Sequence, residues 1–447
     1  GSMRDIPVEQ VTEYAGEDAD ITLRLKETFE EKLGKDEKLL KLFNRMEMPL
    51  VPVLAAMEYE GVKVDPTVLE ELSRELAQDI VQIEKKIYEV AGVEFNIGSP
   101  KQLGEVLFDH LKLLEKPKRT KSGQYATGEA ILSDLATEHD IARRILDYRE
   151  LVKLKNTYID ALPKLISPRD NRIHTSYNQA VTATGRLSST NPNLQNIPIR
   201  TEKGQLIRKA FVSRSDEFIL LSADYSQVEL RIMASFAQDE TMMNAFQNGQ
   251  DIHAATASKI FDVSLDEVTP DMRRKAKTAN FGIIYGVSAF GLAQRLSIPR
   301  SEASAIIKSY FEQFPSVRQY MDKVIQQARE AGYVETVLGR KRYLRDINSR
   351  NPTLRGYSER NAINAPIQGT AADMIKIAMV DIAEWMRKEK LQSRMILQVH
   401  DELVFSAHRD EQEKLQEKIS ELMINALPLD VPMEVGTGLG ENWLQAH

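Results

Sequence analysis

Two aspartates far apart in the chain sit in stretches suited to hold a carboxylate still. Phe218, Ile219, Leu220 and Leu221 run into Ser222-Ala223-Asp224, and Val228-Glu229-Leu230-Arg231-Ile232-Met233 then restarts with helical spacing. A short apolar run with a polar stop reads as a buried strand ending at a surface, which puts Asp224 at a strand-to-helix junction. Arg394 to Ser406, RMILQVHDELVFS, has apolar residues on both sides of His400-Asp401-Glu402. It reads as strand, tight turn, strand, with Asp401 on an exposed corner. Either aspartate alone is what a helix cap or a turn prefers. Together, two carboxylates from separate strands suit a pair of hard divalent cations, because Mg²⁺ takes one or two carboxylates plus substrate phosphates. Two such ions about 3.5–4 Å apart stabilise the attacking and leaving oxygens of in-line phosphoryl transfer.

A third stretch supplies the opposite charge. In Asp271 to Gly286, DMRRKAKTANFGIIYG, Arg273, Lys277 and Phe281 are spaced i, i+4, i+8, with Tyr285 one step further. They share one helical face. Two cations in line with an aromatic suit a triphosphate and the sugar or base attached to it. The reaction these parts suggest is attack of a primer 3′-hydroxyl on the α-phosphate of an incoming nucleotide. The seven histidines show no paired metal-ligand spacing, which speaks against zinc. No Gly-rich phosphate loop of the ATP-driven motors is present.

The elements that position these residues follow from the rest of the chain. At 447 residues, 42% hydrophobic and 28% charged, the composition is that of a soluble protein with two or three subdomains. No apolar run approaches the roughly 20 residues of a membrane span. The absence of cysteine removes disulfides and thiolate chemistry and agrees with a cytoplasmic setting. Gly1-Ser2-Met3 reads as an expression scar.

The net charge of −7 hides local basic windows. Lys116 to Gly128 carries four bases, Lys118, Arg119 and Lys121 among them, and no acid. Asn171 to Thr201 has no acid and includes Arg172, Arg186 and Arg200. Met272 to Arg300 is acid-free, and Gly339 to Arg350 has five bases against Asp346. A polyanion binder needs local positive surface rather than a positive total.

Residues 4–48 are charged and helical, and Val68 to Val90 reads as one long amphipathic helix. Ser99 caps a helix that begins at Pro100. The 62–160 region is a mostly helical arm, with Lys153 and Lys155 on its last helix, suited to gripping a duplex backbone. The 171–201 segment, rich in Asn, Gln, Ser and Thr (Asn193, Gln195 and Asn196 among them), can bond phosphates, sugars and minor-groove acceptors without demanding one sequence. Residues 240–335 form a helical block. Gly332 to Arg345 is a hairpin turning near Leu338-Gly339, and Arg360 to Asp373 breaks at Pro366 before helix resumes through Trp385.

DYSQVELR (224–231), RRKAKTANFGIIYG (273–286) and VHDELVF (399–405) resemble the three signature motifs of the A-family DNA polymerases. TATGRLSSTNPNLQNIPIR (182–200) and NAPIQGTAAD (364–373) resemble further stretches of the bacterial members, so the likeness covers nearly the whole chain in the right order. It implies an α+β right-hand architecture with an antiparallel-sheet palm, helical fingers and a helical thumb. The thumb would be 62–160, the palm 161–236 and 340–447, and the fingers 237–339. Residues 1–48 would be a remnant of a 3′–5′ exonuclease domain and linker, and 49–61 the lead into the polymerase part.

The same resemblance implies roles. Asp224 and Asp401, with the backbone carbonyl of Tyr225, would hold two Mg²⁺ ions, for which Mn²⁺ can substitute. Glu402 would lie near the primer end in a supporting role. Arg273, Lys277 and His253 would contact the triphosphate, with Lys277 as proton donor to pyrophosphate. Phe281 would pack on sugar and base, Tyr285 would border the nascent pair, and Gln227 would belong to the nucleotide site. Glu229 matches the steric gate that fills the space of a 2′-hydroxyl. Arg186, Arg360, Asn364, Gln368 and His400 match positions that contact primer or template in the minor groove.

The expected partners are a primer–template duplex and deoxynucleoside triphosphates. The expected state is a monomer at the bacterial nucleoid, with no membrane. Tyr14-x-x-x-Asp18 resembles the last proofreading motif, whose partner carboxylates would precede residue 1, so extension without proofreading or 5′-nuclease activity is expected. Phe281, where some relatives have Tyr, implies poor use of dideoxynucleotides. A single-subunit RNA polymerase shares the palm logic, and a catalytically idle duplex-binding protein is the alternative from another class.

Overall fold

The computed structural model describes residues 5–199 and 201–447. Gly1-Ser2-Met3 and Arg200 lie outside the described residues. The architecture is α+β, and its centre is a four-stranded antiparallel sheet. The strands lie in the order Val435–Gly440, Phe218–Tyr225, Glu402–His408, Arg394–Val399. In this register Asp224 stands opposite Glu402 on one side and Gly436 on the other.

Both faces of the sheet are covered. Leu221, Ala223, Tyr225, Leu403 and Phe405 enter the largest core, which also takes residues of the helices Val228–Ala237, Pro352–Lys388 and Gln412–Ile424. Leu220, Leu397, Val399 and Val404 enter a second core with Phe211 and Trp443. A strand buried on both faces reads as a continuous apolar run rather than an alternation, which is why residues 218–221 do. Double cover also changes one expectation. Asp401, at the turn between the Arg394–Val399 and Glu402–His408 strands, is half-buried rather than exposed.

The helix Pro66–Ala91 is capped by Asp65, whose carboxylate accepts from Thr67 N at 2.9 Å, and has Pro66 in its first turn. Leu69, Leu72 and Leu76 anchor it in the second core, and Ile87 and Ala91 carry it into a third, separate cluster with Leu103, Leu107 and Leu132. One helix joining two cores is the construction of an arm rooted in a body. The helix Val8–Gly34 buries none of its 27 residues.

Helices fill 240–331, and the hairpin Tyr333–Glu335/Lys341–Tyr343 follows. Pro366 does not break the chain. A single 37-residue helix runs from Pro352 to Lys388 with Pro366 inside it. An interior proline costs about 3 kcal/mol. Ile363, Ile367, Met374, Ile375 and Met379 are all buried around it, and each such side chain contributes about 1.5–3 kcal/mol, so packing outweighs the break. Among the described residues, no helix is long and apolar enough to cross a membrane.

Candidate active site

The acidic corner is set by the sheet ladder. Asp224 is the penultimate residue of its strand, and Tyr225 N donates to Asp401 O at 3.3 Å, tying the two aspartate-bearing segments together. The Tyr225 side chain turns into the core, its hydroxyl donating to Met423 O at 2.6 Å. His400 takes a left-handed conformation, φ 57°, and its carbonyl accepts from Gln398 Nε2 at 2.7 Å.

Burial, then the charges of Asp401 and Glu402, push the Asp224 carboxyl up to about 7. Burial likewise raises Asp401, against the pull of the Arg186 guanidinium. Glu402 goes the other way. Burial alone would raise it, but hydrogen bonds involving His447, Ser222 and Trp443 outweigh that and hold it below the usual carboxylate range.

Glu402, opposite Asp224 in the ladder, is bonded from beneath the acidic corner. It is 3% exposed, accepts from Ser222 Oγ and Trp443 Nε1 at 2.7 Å each, and pairs with Arg208 at 3.4 Å. Alternation along the strand explains it, since Glu402 shares the sheet face of Ser222 and Trp443's core. Arg208, itself stacked over Trp443 at 4.0 Å, is a residue the sequence reading missed. Its only local signal was an arginine, next to Lys209, between the apolar pairs Leu206-Ile207 and Ala210-Phe211.

Among the described residues, no three His, Cys, Asp or Glu side chains form a metal cage. What remains is two mutually repelling carboxylates beside backbone oxygens. This all-oxygen, charge-deficient donor set fits Mg²⁺ bound jointly with substrate phosphates.

The helix Pro270–Ile284 starts at Thr269, which caps Met272 N at 3.2 Å. Arg273 and Lys277 are exposed on it and Phe281 is half-buried. Arg273 is already held by Asp251 at 2.6 Å. His253 is buried, lies 5.7 Å from the Phe281 ring, and accepts from Asn280 Nδ2 at 3.1 Å through Nδ1, which leaves its proton on Nε2. Burial pushes the imidazole down to about 4. It is therefore neutral near pH 7 and presents a donor rather than a charge.

Tyr285, just past the helix, donates its hydroxyl to Glu229, and Arg186 Nη2 donates to the other oxygen of the same carboxylate at 2.5 Å. Burial, then the Glu229 charge, raises the Tyr285 phenol, with Gln368 also in contact. Arg360, Asn364 and Gln368 follow one another at four-residue steps on the long helix, so they share a face. Asn364 Oδ1 and Gln227 Oε1 are buried without a partner.

Among the residues expected to meet DNA, Lys118, Lys121, Lys153, Asn193 and Asn196 are exposed. Arg119 stacks on Tyr125 at 4.1 Å and donates to Gly123 O, folding the basic loop into a compact turn. Two of these residues are engaged within the chain. Gln195 is buried, with its amide on Gln398 Oε1 at 2.8 Å, so it supports the His400 turn from beneath. Lys155 is engaged with Asp160 and Ser73 at 2.7 Å each and ties the base of the arm together. Polarity suggests a surface for both, and each has a partner distant in sequence, Gln398 for Gln195 and Ser73 for Lys155. Arg231, quoted in the first motif without a role, clamps Ser226 O, Pro432 O and Glu434 beside the acidic corner.

The fold and this site define a class. The profile of DNA polymerase family A matches residues 66–445, and the chain belongs to that family. It shares the family's right-hand architecture. It is 51% identical over 443 residues to DNA polymerase I of Pseudomonas aeruginosa, covering 99% of this chain and 48% of that protein. It is 48% identical over 447 residues to DNA polymerase I of Geobacillus stearothermophilus, and 48% over 435 residues to the thermostable DNA polymerase I of Thermus aquaticus. These alignments cover 100% and 97% of this chain and 51% and 52% of those proteins. The chain thus spans about half the length of the curated relatives it matches. Among solved structures it resembles the POL domain of Pol1 from M. smegmatis in complex with DNA primer-template and dNTP. The TM-score is 0.89 at 46% identity, covering 95% of this chain and 74% of that one.

Proposed function

We propose that this chain is a template-directed DNA polymerase that adds deoxynucleotides to a primer 3′ end. The observation that carries the reading is the continuity of the site. Asp401 feels Arg186, Arg186 holds Glu229, and Glu229 holds Tyr285 at the end of the helix that displays Arg273 and Lys277. Acid corner and cationic helix are thereby two walls of one cleft. Residues 62–160 would be its thumb, 237–339 its fingers, and 161–236 with 340–447 its palm.

Asp224, Asp401 and the Tyr225 carbonyl would hold Mg²⁺, or Mn²⁺ in its place. Such ions, when bound, lower the charge on the attacking and leaving oxygens of a phosphoryl transfer. Arg273 and Lys277 neutralise the triphosphate, and Lys277 gives a proton to the departing pyrophosphate. His253, neutral, adds an Nε2–H donor. Phe281 packs on the sugar and base. Glu229, fixed from both sides, fills the volume a 2′-hydroxyl needs. Asn364 and Gln227, each with a buried orphan oxygen, find partners in the bound nucleic acid and nucleotide.

Arg186, Arg360, Gln368 and His400 check pair geometry through minor-groove acceptors that are shared among base pairs. Lys118, Lys121 and Lys153 meet backbone phosphates. Tyr14 and Asp18 stand exposed on the Val8–Gly34 helix, which supports extension without proofreading by this chain. Phe281 supports discrimination against dideoxynucleotides.

Primer extension with Mg²⁺ tests the reading. The intact chain extends a templated primer with deoxynucleotides far better than with ribonucleotides, and Asp224→Ala and Asp401→Ala do not. Equal use of both sugars would point to an RNA polymerase, and no extension by the intact chain to an idle duplex binder.

A further inference from the structure

Behind the sugar gate lies a four-charge cluster that the reaction does not touch. Glu47, at the end of the short helical turn Phe43–Glu47, meets Arg340 of the hairpin and Lys376 of the long helix, the latter at 2.9 Å. Arg340 also pairs with Asp373 at 2.8 Å. Asp373 takes a second bond from Thr336 Oγ1 at 2.7 Å, and Glu47 one from Gln179 Nε2 at 2.8 Å. Asp373 and Lys376 are 0% and 1% exposed. Two acids and two bases, all bonded, neutralise one another. A buried cluster of this kind adds little net stability over a well-packed apolar one, so its geometry is the more informative property.

That geometry leads to the gate. Gly185 adopts φ +81°, and a Cβ there would lie 2.5 Å from Arg340 Nε, so the backbone at 185 rests directly on the Arg340 side chain. The neighbouring residue is Arg186, whose carbonyl accepts from Thr182 Oγ1 at 2.5 Å and whose guanidinium holds Glu229. Arg340 cannot shift to make room, because Glu47 and Asp373 grip it from two elements.

We propose that Arg340 is a specificity-determining positioning residue. By bearing on the backbone at Gly185, it fixes where Arg186 holds the Glu229 carboxylate, and so how strictly a 2′-hydroxyl is refused. The inference rests on the reading of Glu229 as the sugar gate. It assigns the selectivity of that gate in part to charges contributed by residues 47, 340, 373 and 376, none of which meets the nucleotide.

The test is single-turnover incorporation of one deoxynucleotide and its matching ribonucleotide by the intact chain and by Arg340→Lys, which keeps the charge but loses the two-armed grip. The ratio of kcat/KM for deoxy over ribo falls about tenfold, as loss of a charged hydrogen bond predicts, while kcat for the deoxynucleotide changes less than about threefold. Thr182→Val, which releases the same loop without touching the buried charges, lowers the ratio in the same direction and carries the test should Arg340→Lys not fold. In a Glu229→Ala background, Arg340→Lys changes the ratio no further, which a merely structural role would not produce.

An unchanged ratio in folded Arg340→Lys and Thr182→Val overturns the proposal. So does an equal additional loss in the Glu229→Ala background. Failure of the intact chain to use any deoxynucleotide defeats the polymerase reading instead.

Discussion

The two walls of the cleft accumulate opposite charge and are held in opposite ways. Asp224 and Asp401 sit half-buried at the end of a backbone ladder, where burial first and nearby carboxylates second raise both carboxyls. Arg273 and Lys277 stand exposed on a helix in a block of helices, and the titrating group behind them, His253, is driven down. Each wall moves its central ionisable group toward neutrality. Burial is the shared, largest cause, and each wall is suited to a ligand of the opposite sign. The acid wall achieves this with rigid backbone, the basic wall with long side chains that reorient.

The sharpest way to separate the walls is to remove the acids. Asp224→Ala and Asp401→Ala each lower primer extension at least about a thousandfold. In chelator, neither lowers the unfolding temperature, because each removes a repulsion. Glu402→Gln behaves in reverse. It leaves Arg208 without its charge partner and destabilises the fold by about 3–5 kcal/mol, read as a large drop in thermal unfolding temperature. If the two aspartate variants melted like Glu402→Gln, the acid wall would be structural after all.

On the basic wall the effects are smaller. Lys277→Ala lowers kcat about a hundredfold, in the range of a lost general acid. Arg273→Ala mainly raises KM for the nucleotide, by about tenfold, since its guanidinium must first leave Asp251. Equal kcat losses in both variants would erase the distinction between proton donor and charge clamp.

The opposite shifts give opposite pH slopes of stability in metal-free protein. Asp224 has a folded pKa above its unfolded value of 3.8, so its contribution is full below about pH 4 and is lost as pH rises through about 7. His253 has a folded pKa below its unfolded 6.5, so its contribution is full above about pH 6.5 and is lost as pH falls through about 4. Chemical denaturation across pH 4–8 shows each slope flattened by Asp224→Asn and His253→Gln respectively. A slope that survives its own substitution would misassign the group.

The smallest predicted effect concerns DNA affinity. Lys118→Ala reduces the slope of log affinity against log salt by about one, whereas Lys155→Ala leaves it unchanged, as its ammonium is spent on Asp160 and Ser73. A salt slope altered by Lys155→Ala would return that residue to the duplex surface.

What was legible in the sequence was local. A run of four apolar residues ending in Asp224, a polar tip between apolar arms at Asp401, and four-residue steps from Arg273 to Phe281 each follow from backbone periodicity. The cap at Ser99 was equally readable, whereas the helix expected from Val68 starts earlier, at Pro66 with Asp65 as its cap. What stayed hidden depends on partners far away in the chain. Glu402 looks like its neighbour Asp401 until strand alternation turns it toward Ser222 and Trp443. Gln195 and Lys155 look like surface polar groups until Gln398 and Ser73 occupy them. Pro366 carries a strong local signal for a break, and only the burial of the surrounding residues overrules it.

The uninterrupted helix from Pro352 to Lys388 has a mechanical consequence. At 1.5 Å per residue it is a strut about 55 Å long. The ion cluster fastens it at Asp373 and Lys376, and the core-packed arm before it reaches Arg360, against which Gly286 rests. That arm is about 20 Å long, so a tilt of about 3° at the fastening sweeps Arg360 by about 1 Å. The hairpin and the far end of the cationic helix are thereby braced by one continuous helix.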